Sequence, residues 1–231
     1  MRIHGIIGGT VVAVLLLWNG AVYGQSGTCT PITSVPITIT TPGVYCLTGN
    51  LTHFSLTAAA ITVEASAVVV DFNGYKLVKV FGPALSTGVK VTAQKNVTIR
   101  NGLISTFFFG IESSARATVV EDMRLSNAVV GIQVTGVGAL VRRNYVREST
   151  YGIWVYGDSA RVIENNIVGV PLFGWGIIID AQDGLVVGNR LSSWSLGITY
   201  SASGGTGKYR DNLTTDVAVP YSGGTDAGNN N

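Results

Sequence analysis

The chain has 231 residues and a formal net charge of +2; 12% of the residues are charged, 46% are apolar and 30 are glycine. With so small a charge and no run of Lys or Arg, we expect no nucleic-acid partner. The length suits one domain with a continuous core and is hardly enough for two.

Residues 1–24 have the pattern of a secretory signal peptide. Arg2 and His4 precede an apolar stretch at 11–18, and small residues lead to a predicted cleavage before Gln25. The stretch is short for a membrane span, and no later segment offers about 18 uninterrupted apolar residues. We therefore predict export to the periplasm or the extracellular space, with no membrane span in the mature chain. A retained membrane anchor is the alternative.

Residues 25–66 are predicted to form an N-terminal cap and the first coil of a repeat. They contain both cysteines, Cys29 and Cys46. In an oxidising compartment we expect a disulfide, which is worth about 3 kcal/mol by the loop-entropy estimate. Two free buried thiols are the alternative. Because His53 is the only histidine after the leader, we predict no metal site.

Residues 67–215 carry a sequence repeat. Gly-Ile pairs recur at intervals of 21, 21, 24 and 21 residues from Gly110 to Gly197. A period of this length, with short alternating strands and corners rich in Gly, Asn and Ser, predicts a β-solenoid. Leucine-rich repeats share the period, but segments such as GIQVTGVGALV lack their leucine framework. An antiparallel sandwich would explain the alternation but not the constant period. Residues 216–231 are predicted to form a C-terminal strand and a loose tail.

Polar residues recur at one corner of the predicted coil. Parallel strands of successive coils stack about 4.8 Å apart, so equivalent residues form columns along the axis. Asn and Asp tolerate the left-handed backbone that a sharp corner requires. We predict a structural ladder made of Asn101, Asp122, Arg143, Asn165, Asn189 and Asp211. The preceding column alternates in charge, so we interpret Arg142 as a surface residue paired with Glu121 and Glu164.

The chain resembles right-handed parallel β-helix repeat proteins of the pectate-lyase-like superfamily. The segments that carry this resemblance are TPGVYCLTGNLT (41–52), VVVDFNGYKL (68–77), NVTIRNGLI (96–104), VIENNIV (162–168) and VVGNRL (186–191). It covers nearly the whole mature chain, but its motifs specify coils rather than chemistry. The resemblance implies three sheets, an N-terminal cap and, in many members, a polysaccharide groove on one face. If the chain is an enzyme, it implies a polysaccharide lyase or a glycoside hydrolase.

One cluster of residues is a candidate ligand site. Trp154, Tyr156, Asp158, Asp180 and Asp183 belong to adjacent predicted coils. Aromatic rings offer flat apolar surfaces on which sugars stack, and acids offer hydroxyl acceptors or calcium ligands. The alternative is that the acids form turns and the rings cover a sheet face. Glu112 is predicted to lie about 14 Å from Asp180, too far for a glycosidase carboxylate pair, so we identify no catalytic residue.

Three functions are consistent with these patterns. The first is a secreted β-helix protein that binds or processes extracellular polysaccharide, with no resident cofactor or with calcium. The second is a non-catalytic structural or adhesion solenoid at the cell surface. The third is a periplasmic metal-handling protein, which would have few soft ligands because Met123 is the only methionine after the leader.

Overall fold

A computed structural model describes residues 29–92, 94–171, 173–201 and 206–231. The predicted leader, residues 1–24, lies outside these ranges. The described chain is all β, with 23 strands and no helix, wound into a parallel β-solenoid of about 8 turns. The predicted parallel β-helix fold is confirmed. In this part of the chain, no helix is long and apolar enough to cross a membrane.

Each coil passes through three parallel sheets, which we number in the order of passage. Sheet 1 contains β2 (Ile37–Ile39), β5 (Ala59–Val63), β8 (Thr87–Val91), β10 (Phe109–Ser113), β12 (Val130–Val134), β15 (Tyr151–Val155) and β18 (Trp175–Ile179). Sheet 2 contains β1 (Thr30–Ile32), β3 (Gly43–Leu47), β6 (Val68–Asp71), β13 (Leu140–Arg142), β16 (Arg161–Ile163), β19 (Gly184–Val187), β21 (Gly207–Arg210) and β23 (Thr225–Asp226). Sheet 3 contains β4 (Leu51–His53), β7 (Lys76–Lys79), β14 (Tyr145–Arg147) and β17 (Asn166–Val168).

Four longer strands pass through a corner and so join two sheets. Strands β9 (Val97–Ser105) and β11 (Val119–Ser126) run from sheet 2 into sheet 3. Strands β20 (Arg190–Tyr200) and β22 (Leu213–Ser222) run from sheet 3 into sheet 1.

The recurring Gly-Ile pair has a structural explanation in sheet 1. The isoleucines stack in register inside the coil, as Ile111, Ile132 and Ile153 do, and these three are fully buried. The glycine before each isoleucine lies close to the next coil: a Cβ on Gly131 would lie 2.6 Å from the carbonyl oxygen of Gly152. Only glycine fits that spacing without a backbone shift.

The corner between sheets 2 and 3 corrects part of the predicted ladder. One column of left-handed residues contains Asn101, Asp122, Arg143 and Asp211, with φ of 60, 54, 53 and 56°. In the two intervening coils, however, this column holds Glu164 and Gly188, with φ of 55 and 66°. The placement of Asn165 and Asn189 in this column was therefore wrong by one residue.

The shift arises on the outer face of sheet 2. Alignment by polarity matched Glu164 to Arg142, whereas backbone pairing places Ile163 opposite Arg142. An apolar residue thus fills an outward position that is charged in the preceding coils. Arg142 donates from Nε and Nη2 to Glu121 Oε2 at 2.8 and 2.6 Å. Its interpretation as a paired surface residue is correct for Glu121 and wrong for Glu164.

A second polar column, one residue further along the chain, is buried except at its last member, Asn230, which is half-buried. This buried asparagine ladder consists of Asn144, Asn165, Asn189, Asn212 and Asn230. In each step, the backbone N–H and the Nδ2 of one asparagine donate to the Oδ1 of the asparagine in the next coil. From Asn165 to Asn189 both distances are 2.9 Å. The Nδ2 of Asn165 also donates to the carbonyl oxygen of Val141 at 3.0 Å. These bonds satisfy polar groups that burial would otherwise leave without partners.

Both ends of the described chain are attached to neighbouring coils. The predicted disulfide between Cys29 and Cys46 is present and joins the residue before β1 to β3. At the other end, the Asn231 N–H donates to the carbonyl oxygen of Asn212 at 3.1 Å, and Thr214 N–H donates to that of Asn231 at 2.8 Å. The last residues therefore continue the solenoid and do not form the predicted loose tail.

Asn165→Ala is expected to destabilise the protein by about 3 kcal/mol, because it leaves the Asn144 N–H and the Val141 carbonyl group buried without these partners. Urea unfolding measures the loss. The matched control is Asn166→Ala at the next, exposed position, which should change stability by less than about 0.5 kcal/mol. Equal effects of the two variants would contradict a stabilising role of the ladder.

Candidate functional site

The outer face of sheet 1 carries a row of stacked rings, which we call the aromatic strip. Its members, in order, are Trp175, Tyr151, Trp154 and Tyr156. Trp175 opens β18 and pairs in register with Tyr151, which opens β15. Successive ring centroids are 5.0 Å apart, with interplanar angles of 7, 27 and 26°. The rings therefore form one continuous apolar stack across two coils, in which the inner rings, Tyr151 and Trp154, contact a neighbouring ring on each side.

Asp180 fixes the orientation of one ring in the strip. The indole Nε1 of Trp154 donates to Asp180 Oδ2 at 2.7 Å. Trp154 is half-buried, while Tyr156 keeps 39% of its surface exposed. Burial raises the pKa of the Tyr156 phenol, and the Asp180 carboxylate raises it further by repelling the phenolate. The strip thus ends in an exposed ring, Tyr156, and has a carboxylate hydrogen-bonded to the ring next to it.

The other two predicted acids lie at the corner between sheets 1 and 2. Asp158 Oδ1 accepts the backbone N–H of Gln182 at 2.8 Å. Asp183 has a left-handed backbone, with φ of 55°, and its N–H donates to Thr206 Oγ1 at 3.2 Å. Both acids therefore belong to turns at this corner, which is the alternative role that the sequence allowed for them. Of the five candidates, the structure brings Trp154, Tyr156 and Asp180 into one contact cluster.

Two members of the aromatic strip, Tyr151 and Trp175, were missed from the sequence. They lie 24 residues apart, which is the local repeat length, and each occupies the first position of its strand. That spacing was a usable signal for a second aromatic column. Strict alternation from the outward Trp154 would turn Tyr151 inward, so the strand pattern concealed this column.

Soft metal donors are dispersed along the described chain. His53 is buried, with Nε2 bonded to the Ala58 carbonyl group, and its ring stacks on Phe107. Met123 is fully buried in the core, and the thiols of Cys29 and Cys46 are joined in the disulfide. Within the described ranges, no three residues among His, Cys, Asp and Glu converge as a metal-binding group.

The raised pKa of Tyr156 predicts its titration behaviour. Tyr156 should lose its proton above the usual pH of about 10. Because the folded protein favours the neutral phenol, Tyr156 contributes to the free energy of unfolding below that pH. This contribution is lost as the pH rises through the folded-state pKa of Tyr156. The ultraviolet difference between the titrations of the wild type and Tyr156→Phe isolates this group.

Asp180→Asn should lower the pKa of Tyr156, because it removes a nearby negative charge. Asp216→Asn, at an exposed position of β22, removes the same charge and should leave the titration of Tyr156 unchanged. If the titration midpoint of Tyr156 equals that of free tyrosine, the phenol is neither buried nor close to the Asp180 carboxylate as described.

Comparison with protein families gives one match over most of the chain. The family model described as periplasmic copper-binding protein (NosD) matches residues 28–229. The search of curated proteins found no match, and neither did the search of solved structures.

Proposed function

The chain belongs to the family of periplasmic copper-binding protein (NosD), and within this family we propose that it is a periplasmic recognition protein that binds a carbohydrate chain along the aromatic strip. The family's periplasmic location is consistent with the export predicted from residues 1–24. The observation that carries the proposal is the unbroken stacking of four rings beside a fixed carboxylate.

The strip has the chemistry that sugar recognition requires. The faces of pyranose rings carry C–H groups that pack on aromatic surfaces, while their edges carry hydroxyl groups that need acceptors. Tyr156, the exposed terminal ring of the stack, supplies an aromatic face, and Asp180 supplies an acceptor near it. Because Trp154 already donates to Asp180, the indole is held in one orientation before a ligand arrives, which lowers the entropy cost of binding.

The length of the strip suggests how much ligand it contacts. Two centroid separations of 5.0 Å follow β15 from Tyr151 to Tyr156 and span about 10 Å, while the third crosses to Trp175 in the next coil. A linear ligand of two to three sugar units has a comparable extent on the order of 10–15 Å, so a short segment of a glycan chain fits the row better than a single sugar.

Trp154→Ala is expected to weaken glycan binding at least about tenfold, because it removes the ring that supports Tyr156 and frees Asp180. A glycan array followed by calorimetry on the best ligand measures the change. Phe54→Ala removes a ring that is 65% exposed and lies in the turn after β4, outside the strip, and should leave binding unchanged. If no glycan binds the wild type, or if both variants lose binding equally, the proposed site is wrong. Product analysis of the same mixtures distinguishes recognition from cleavage.

A second candidate function, copper handling, is favoured by the family match. Copper is bound by thiolate, thioether and imidazole ligands. The described residues do not fit such a site: the cysteines are oxidised to a disulfide, Met123 is fully buried, and His53 offers a single buried ring. The family description therefore supports this function, whereas the geometry of the described donors does not.

Equilibrium dialysis of the mature protein against Cu(I) and Cu(II) tests the second candidate. From the donor geometry we expect no stoichiometric uptake, and His53→Ala should behave like the wild type. One copper per chain, lost in His53→Ala, would establish copper binding at His53 and would make copper handling the leading function.

A further inference from the structure

A cavity of about 540 Å³ lies on the outer face of sheet 2, at its corner with sheet 1. Four successive coils form it, and its volume lies within the usual range of small-molecule sites, roughly 300–1,000 Å³. Its lining includes Ser159, Arg161, Asp183, Leu185, Thr206 and Lys208. We call it the corner cavity. Of the five candidate ligand residues predicted from the sequence, Asp183 belongs to its lining.

The register of sheet 2 places two cations on either side of an apolar residue. Arg161 pairs with Leu185, and Leu185 pairs with Lys208. All three occupy the same outward column, and Arg161 and Lys208 are exposed. Two steps of about 4.8 Å separate the backbones of the two cations by about 10 Å. The floor of the cavity therefore has a positive charge at each end, from Arg161 and Lys208, and the apolar side chain of Leu185 between them.

Among the described residues, Arg161 and Lys208 lack the acidic partner that most arginines of the solenoid have. Arg100, Arg142, Arg143, Arg147 and Arg210 each form an ion pair with an acid. In the ranges that the structure describes, neither Arg161 nor Lys208 forms one. The single acid of the lining, Asp183, leaves the cavity with one excess positive charge. Ser159 and Thr206 add hydroxyl groups to the rim.

From this arrangement we propose that the corner cavity binds an elongated dicarboxylate, with one carboxylate at Arg161, the other at Lys208 and the aliphatic middle over Leu185. Charge-assisted hydrogen bonds from guanidinium and ammonium groups to carboxylates are stronger than hydrogen bonds between neutral groups. Leu185 disfavours a compact, fully hydrated anion. Such an anion would lose water molecules to the apolar side chain and would gain no hydrogen bonds in their place. The proposal does not depend on carbohydrate binding by the aromatic strip.

Isothermal titration calorimetry at low ionic strength tests the proposal, with adipate as the probe. We expect adipate to bind, and hexanediol and inorganic phosphate to bind at least about tenfold more weakly, since the first lacks charge and the second lacks length. Arg161→Gln and Lys208→Gln should each weaken adipate binding at least about tenfold. Arg190→Gln removes one positive charge at an exposed position of sheet 3 and should leave adipate binding unchanged.

Several results would overturn the proposal: no adipate binding by the wild type, equal binding of phosphate, or an equal loss in Arg190→Gln. All three variants change exposed side chains, and thermal unfolding midpoints equal to that of the wild type establish that they fold. Trp154→Ala should bind adipate normally, so failure at the corner cavity is distinguishable from failure at the aromatic strip.

Discussion

Hydrogen bonds between stacked asparagines connect the later coils of this protein. Each step of the buried asparagine ladder uses a side-chain oxygen of one coil to satisfy a backbone N–H of the preceding coil. A shift of one residue would move these amides away from their partners and would bury the polar groups unsatisfied, at a cost of about 1–3 kcal/mol each. The ladder therefore helps to hold the three sheets in register through the last five coils.

Register in turn creates the outer surface. On sheet 1, it places Trp175 directly over Tyr151 and brings Asp180 to the indole of Trp154, so that residues 24 and 26 apart in the chain touch. On sheet 2, the same stacking places Arg161, Leu185 and Lys208 in one column. Both candidate sites consequently belong to the coils that the asparagine ladder connects, and each depends on contacts between coils.

Family membership and donor chemistry point to different ligands. The family description names copper, whereas the soft donors of the described chain serve structural roles: Met123 lies in the core, His53 stacks on Phe107, and the cysteines close a disulfide. The outward-facing chemistry is instead aromatic, acidic and basic, which suits organic ligands with hydroxyl or carboxylate groups. Members of one solenoid family can bind different ligands, because the inward residues maintain the coil while the outward residues vary without disturbing the core.

The sequence by itself determined the β-helix and the grouping of Trp154 with Asp180, because these follow from local alternation and a repeat length that can be counted along the chain. It also predicted the disulfide, because the chain has two cysteines and an export signal. It did not determine the register of Asn165 and Asn189, since a polar residue on either side of the corner satisfied the same pattern. Backbone pairing of Ile163 with Arg142 decided between the two alignments. Only the tertiary structure added Tyr151 and Trp175 to the strip and revealed the corner cavity, because these features exist only where side chains of different coils come into contact.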